Sequence, residues 1–154
     1  PENLDARGDS LLGSYYAGIA MMNAGGGPAS GVSYPVGVFY GVPHGIAGGV
    51  FLRGVFEQNI KKGYTGYSIL FDALNNSNFE KLNENEKSIE FLTLFNNFYE
   101  KIGAPNTLRE WGINNMSDVE KLVDITMSQR IENLELNPVP YGKNDLTLLL
   151  KGIL

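Results

Sequence analysis

Forty-three consecutive residues, Ser10 to Leu52, contain no Asp, Glu, Lys or Arg, so the remaining residues carry every formal charge of the 154-residue chain. Charged side chains are almost never fully buried unless paired, and a run this long without them is expected in an interior, enclosed by the charged remainder. The same run holds the only histidine, His44, and the triplet Gly25-Gly26-Gly27. Whatever core and whatever chemistry this chain has should be organised around it.

Taken in order, Pro1 to Asp9 is polar and reads as a linker or frayed end. From Ser10, Leu11, Leu12, Tyr15, Tyr16 and Ile19 recur at helical spacing, with small residues on the other faces. Asn23 to Gly27 should end this helix, because glycine supplies left-handed backbone at a helix C-terminus. Pro28 suits the first turn of a second helix, which Pro35 must kink or stop. Gly41-Val42-Pro43 is a further break, and a third helix starts at His44 and runs through Ile46, Ala47, Val50, Phe51 and Val55 toward Gln58.

The later half is ordinary amphipathic helix. Phe91, Leu92, Phe95, Phe98, Tyr99 and Ile102 form one stripe, stopped by Gly103 and Pro105. Ser117-Asp118-Val119-Glu120 reads as a capping box ahead of Val119, Leu122, Val123, Thr126 and Met127. Asn137-Pro138 and Pro140 make an extended connection, and Asn144 or Asp145 caps a last helix through Leu146, Leu149 and Leu150. No period-two alternation occurs, so the expected fold is all-α, with six to eight helices in one domain spanning residues 10–154.

Composition excludes several functions. A net charge of −5, with no basic cluster beyond Lys61-Lys62, does not suit a nucleic-acid surface. With no cysteine there is no disulfide framework, thiolate nucleophile or cysteine-ligated metal, which suits a reducing, cytoplasmic setting. Glycine and proline interrupt the apolar runs before they could span a membrane. The chain starts at Pro1, with neither initiator methionine nor signal sequence, and is expected to be an internal piece of a longer protein.

Three features could carry chemistry. His44, aimed by the proline before it, is a candidate metal ligand or general acid–base group. Gly25-Gly26-Gly27-Pro28 leads into a helix N-terminus that could meet an anion, or is a simple helix–helix turn. It matches neither dinucleotide-binding nor P-loop spacing. Ser30, Ser33 and Tyr34 supply hydroxyls with no carboxylate near in sequence, and such hydroxyls also commonly bond the preceding helical turn. The sequons at Asn75 and Asn115 are expected by chance in an asparagine-rich chain.

Asn23-Ala24-Gly25, Tyr34-Pro35-Val36-Gly37 and Pro43-His44-Gly45-Ile46-Ala47 together resemble the second signature of the iron-containing (group III) alcohol dehydrogenases. Ile102-Gly103-Ala104-Pro105, Leu108-Arg109 and Gly112-Ile113 resemble a further segment of that family, in the same order. The resemblance spans roughly Ser10 to Leu154. It implies the C-terminal helical half of a two-domain enzyme, whose N-terminal α/β half, holding most of an NAD or NADP site, lies outside this chain.

The activity so implied is reversible hydride transfer between a small alcohol or aldehyde and nicotinamide. The family's divalent metal, iron or zinc, is usually held by an aspartate and three histidines and polarises the substrate oxygen. The resemblance puts the aspartate and the first histidine upstream of Pro1; of the later two histidines one matches His44 and the other falls on Ser30, and an additional histidine, near substrate and nicotinamide, falls on Tyr34. The replacements suggest a rebuilt site in which Tyr34 acts as proton donor and Ser30 hydrogen-bonds the substrate without metal. The resemblance also implies a homodimer or larger assembly of the full-length protein, with this fragment inactive alone. The alternatives are a sugar-phosphate cyclase of the dehydroquinate-synthase type and a non-catalytic remnant kept as a binding module.

Overall fold

The computed structural model describes residues 2–74 and 81–154, and the sequon at Asn75 lies outside them. Among the described residues there are eight α-helices and no strand: α1 (Leu4–Ala24), α2 (Gly27–Tyr40), α3 (His44–Lys61), α4 (Ser68–Leu74), α5 (Glu84–Lys101), α6 (Met116–Gln129), α7 (Ile131–Glu135) and α8 (Lys143–Lys151). A 3-10 turn at Arg109–Trp111 separates α5 from α6.

The core lies between α2, α3, α6 and α8. Val32 and Val36 of α2, Ala47 and Phe51 of α3, Val119 and Leu122 of α6, and Leu146 and Leu150 of α8 form one fully enclosed cluster. Leu108 and Ile113, from the loop between α5 and α6, complete it. A satellite layer packs beside it: Phe56 of α3 meets Tyr67, Phe91 and Phe95 edge-on at 4.9, 5.6 and 5.0 Å between ring centroids. Edge-to-face rings gain beyond their buried area, because the positive rim of one meets the negative face of the other. On α5 the packed residues are therefore Phe91, Phe95 and Tyr99, at a strict four-residue spacing. Phe98 and Ile102, expected in the same stripe, lie on an exposed flank.

The charge-free stretch divides in two. From Pro28 onward much of it is interior, but α1 contributes no buried residue, and Leu11 and Met22 are 73% and 83% exposed. The expectation of an interior for the whole run fails over α1, because Gly25 turns the chain there with φ 72° and, among the described residues, no other element covers the helix. Absence of charge over this helix thus does not mark an interior among the described residues. The helix also begins at Leu4, six residues ahead of Ser10, because Asn3 caps it by accepting the Ala6 N–H at 3.0 Å. The segment expected as a linker is thus largely helical.

Three local expectations are corrected. Helix α2 continues through Pro35, which is buried, to the left-handed Gly41. The cap of α6 is Asn115, not Ser117: its side chain accepts from Ser117 and Asp118, while the Asp118 carboxylate accepts from Asn114 and Asn115. Asn115 thus serves as a helix cap, and Asp118 takes the role expected of Glu120. In α8, Asp145 acts from the third helical position, accepting the Gly142 N–H at 2.8 Å, rather than as the cap itself.

The extended Asn137–Pro140 connection is pinned by a buried amide pair. Asn59 on α3 donates to Asn137 at 3.0 Å and accepts from it at 2.8 Å, and it donates to Tyr67 at 2.8 Å. No helix among the described residues is long and apolar enough to cross a membrane.

Candidate functional site

Helix geometry alone brings the two replaced positions together. Ser30 and Tyr34 are four residues apart on α2, hence on one face one turn apart, and Ser33 sits between them. His44 opens α3 across the Gly41–Pro43 turn, with Pro43 as its cap. These four residues line one cleft of about 180 Å³, and its other wall is Arg130 and Asn133.

Arg130 stands at the junction of α6 and α7, where φ is −139° and its N–H still bonds the Thr126 carbonyl at 2.8 Å. The junction can approach α2 because Gly31 has no side chain. A Cβ at position 31 would lie 3.0 Å from the Asn133 Cβ and 3.6 Å from the Arg130 carbonyl oxygen.

The glycine triplet serves the same packing. A Cβ on Gly25 would meet Leu136 at 2.4 Å, and one on Gly26 would meet Ser30 at 2.4 Å. Of its two sequence readings, the helix–helix turn holds. Gly25 and Gly27 make that turn with φ of 72° and 60°, and a Cβ on Gly27 would meet nothing within 4 Å.

Within the cleft, the Arg130 guanidinium carbon is 3.9 Å from the centroid of the Tyr34 ring. That places the cation close over the aromatic face. Its Nε is buried and has no hydrogen-bond partner. Ser33 donates to the Ser30 carbonyl at 2.9 Å, a bond to the preceding turn of the kind expected, while the Ser30 side chain lines the cleft. Tyr34 is 50% exposed and His44 is exposed, so the imidazole is not a packed core group.

By itself this donor set is incomplete for a divalent metal, since the resemblance places the aspartate and first histidine of such a site outside this chain. It offers one imidazole, hydroxyls and an amide, with no carboxylate, and a guanidinium lines the same small space and would repel the ion. Among the described residues no group of three His, Cys, Asp or Glu gathers that could hold one.

Arg130 and Asn133 were not singled out in the sequence. They lie about 100 residues beyond Ser30, and no local pattern distinguishes an arginine after an amphipathic helix from any surface arginine. The one available signal was the glycine at position 31, whose close approach needs a partner that sequence does not name.

Comparison with known proteins adds the following. A family model described as "Fe-containing alcohol dehydrogenase family, C-terminal" matches residues 1–154. The chain is 30% identical over 145 residues to the 4-hydroxybutyrate dehydrogenase of Clostridium kluyveri, covering 94% of this chain and 38% of that protein. It is 31% identical over 151 residues to long-chain-alcohol dehydrogenase 1 of Geobacillus thermodenitrificans, covering 96% of this chain and 36% of that protein. A solved structure of a 1,3-propanediol oxidoreductase superposes with a TM-score of 0.86 at 22% identity, over 99% of this chain and 39% of that one. The chain thus spans little more than a third of the length of the proteins it matches.

Proposed function

The chain belongs to the Fe-containing alcohol dehydrogenase family, matching its C-terminal model, and on that premise we propose that it forms the substrate-side half of an NAD- or NADP-dependent oxidoreductase acting on a small alcohol or aldehyde. The observation that carries this reading is the convergence of Ser30, Tyr34 and His44 on one cleft. Residues brought together from two helices, at positions where the family resemblance puts histidines, are what a rebuilt active site needs.

In the direction of reduction, a reduced nicotinamide, which would be held mainly by a part of the protein outside this chain, would supply a hydride to the carbonyl carbon. As the carbonyl π bond breaks, negative charge develops on oxygen. The Tyr34 hydroxyl donates its proton there, and the Ser30 hydroxyl donates a hydrogen bond to the same oxygen. Arg130 over the ring limits the orientations of Tyr34, so that its hydroxyl is held rather than searching. No step requires a metal from this set of residues.

In the longer protein the apolar surface of α1 is covered, by the remaining half or by a second copy in a homodimer or larger assembly. Leu11, Leu12, Tyr15 and Tyr16 are too apolar to be left together in water at little cost. The names of the relatives cover both a hydroxy acid and long-chain alcohols, so the cleft itself must decide what the substrate carries beyond its reacting carbon.

The test is oxidation of NADH and NADPH by the full-length protein with a panel of short aldehydes, with elemental analysis of the wild type and His44→Ala. Turnover that survives exhaustive chelation is expected. Absence of turnover with every aldehyde would leave the non-catalytic or cyclase alternatives. Stoichiometric iron or zinc lost in His44→Ala would instead restore the metal-assisted mechanism.

A further inference from the structure

Arg130 is over-provided for a structural role. Its Nε is buried without a hydrogen-bond partner, and among the described residues no carboxylate pairs with it. A buried donor left unmade forfeits its hydration for nothing, and a charged one forfeits more. Its guanidinium carbon lies over the Tyr34 ring. A guanidinium held over an aromatic face still has N–H edges that can donate side by side to the two oxygens of a carboxylate.

The surroundings favour the same ligand. No acidic residue lines the cleft, and Asn133, Ser30 and Ser33 add only neutral polar groups beside the single arginine. In a chain of net charge −5, this is a small cationic site in an acidic protein.

We propose that Arg130, assisted by Asn133, binds a carboxylate carried by the substrate itself, so that the full-length protein prefers a short oxo acid or hydroxy acid to the neutral aldehyde or alcohol of equal length. The assignment rests on the hydride-transfer reading and specifies its substrate. Placement decides between a substrate carboxylate and a cofactor phosphate. Arg130 touches Tyr34, the proton donor of that reading, so an anion on its edge sits within one short carbon chain of the reacting oxygen. The pyrophosphate of a nicotinamide dinucleotide is held further from the reacting ring, by an intervening ribose.

The experiment compares 4-oxobutanoate with butanal in the full-length protein, in wild type, Arg130→Met and Arg130→Lys, with thermal unfolding as the check on folding. The expected result is a kcat/KM for 4-oxobutanoate at least about tenfold above that for butanal, since a charge-assisted pair is roughly twice as strong as a neutral hydrogen bond. The ratio should collapse toward one in Arg130→Met through the KM of the acid, and recover in part in Arg130→Lys. Equal loss for both substrates, with the ratio kept, would make Arg130 structural and overturn the proposal. A raised KM for NADH or NADPH with the ratio kept would assign the anion to the cofactor and overturn it as well.

If wild type prefers butanal, the anion site fails while the hydride-transfer reading stands. If no aldehyde turns over, that reading fails, and calorimetric titration with butanoate decides the anion site alone. Binding lost in Arg130→Met supports it, and no binding to wild type overturns it.

Discussion

Gly31 on α2 and Asn133 on α7 face each other across a tight gap: a Cβ on Gly31 would stand 3.0 Å from the Asn133 Cβ. This spacing lets the α6–α7 junction lie against α2 and brings Arg130 to Tyr34. Replacement by alanine adds helix propensity but presses on α7, so its net effect is small. Gly31→Leu has no such offset and is expected to cost roughly 1–3 kcal/mol by overpacking. Measured by denaturant unfolding of the full-length protein, a loss below that range would mean that α7 moves aside easily.

Tyr34→Phe removes the proposed proton donor while keeping the ring over which Arg130 lies. The expected loss is about 10²–10⁴-fold in kcat, the usual contribution of a positioned acid, with a much smaller change in KM. Steady-state kinetics on the full-length protein decide it. A variant within a few-fold of wild type would remove the phenol from the mechanism.

Tyr40, the last residue of α2, donates to Asp118 at 3.0 Å and so ties that helix to the capped start of α6. The Asn114 N–H first, and then the Tyr40 hydroxyl, the Asn115 N–H and Lys121, hold the Asp118 carboxyl below its ordinary range. A carboxyl depressed in the folded state contributes stability above its unfolded pKa of about 3.9, and that contribution is lost as pH falls through the folded value. The unfolding midpoint of wild type should therefore drop below about pH 4, and more steeply than that of Asp118→Asn. Parallel acid profiles would refute the linkage. On the alkaline side, burial and then the bond to Asp118 raise Tyr40 to about 12. The stability this group adds is complete below its unfolded pKa of about 10 and is lost as pH climbs toward the folded value.

What could be read from the sequence follows from the range of the forces involved. The start of α3 at His44 and the buried stripe of Val119, Leu122, Val123 and Thr126 come from local periodicity and breakers, and the structure has them. The cap of α6 shifted because Ser117, Asp118 and Asn115 all belong to one short polar run, and sequence alone does not decide which side chain meets which N–H. The exposure of α1 was hidden because an apolar helix reads the same whether its cover comes from its own chain or from elsewhere. His44, Ser30 and Tyr34 stand out locally as an aimed imidazole and nearby hydroxyls, and only the family resemblance gives them roles. Arg130 enters the cleft only through a long-range approach that no local pattern encodes.

The buried pair Asn59 and Asn137 gives a prediction independent of the cleft. Asn59 is 1% exposed, and its amide bonds Asn137 and Tyr67, from the loop before α8 and the turn before α4. Asn59→Leu keeps the volume but leaves the Asn137 amide short of a partner, at a cost of about 1–3 kcal/mol for a buried group left unsatisfied. Burial already raises Tyr67 above the usual phenol range, so its hydroxyl gains nothing by ionising to compensate. The expected result is a lower unfolding midpoint with faster hydrogen exchange in residues 137–141, and the 4-oxobutanoate to butanal ratio should be unchanged, since neither asparagine lines the cleft. If that ratio shifts in Asn59→Leu, α7 and the Asn137 loop move as one unit, and the cleft is set by the amide pair as well as by Gly31.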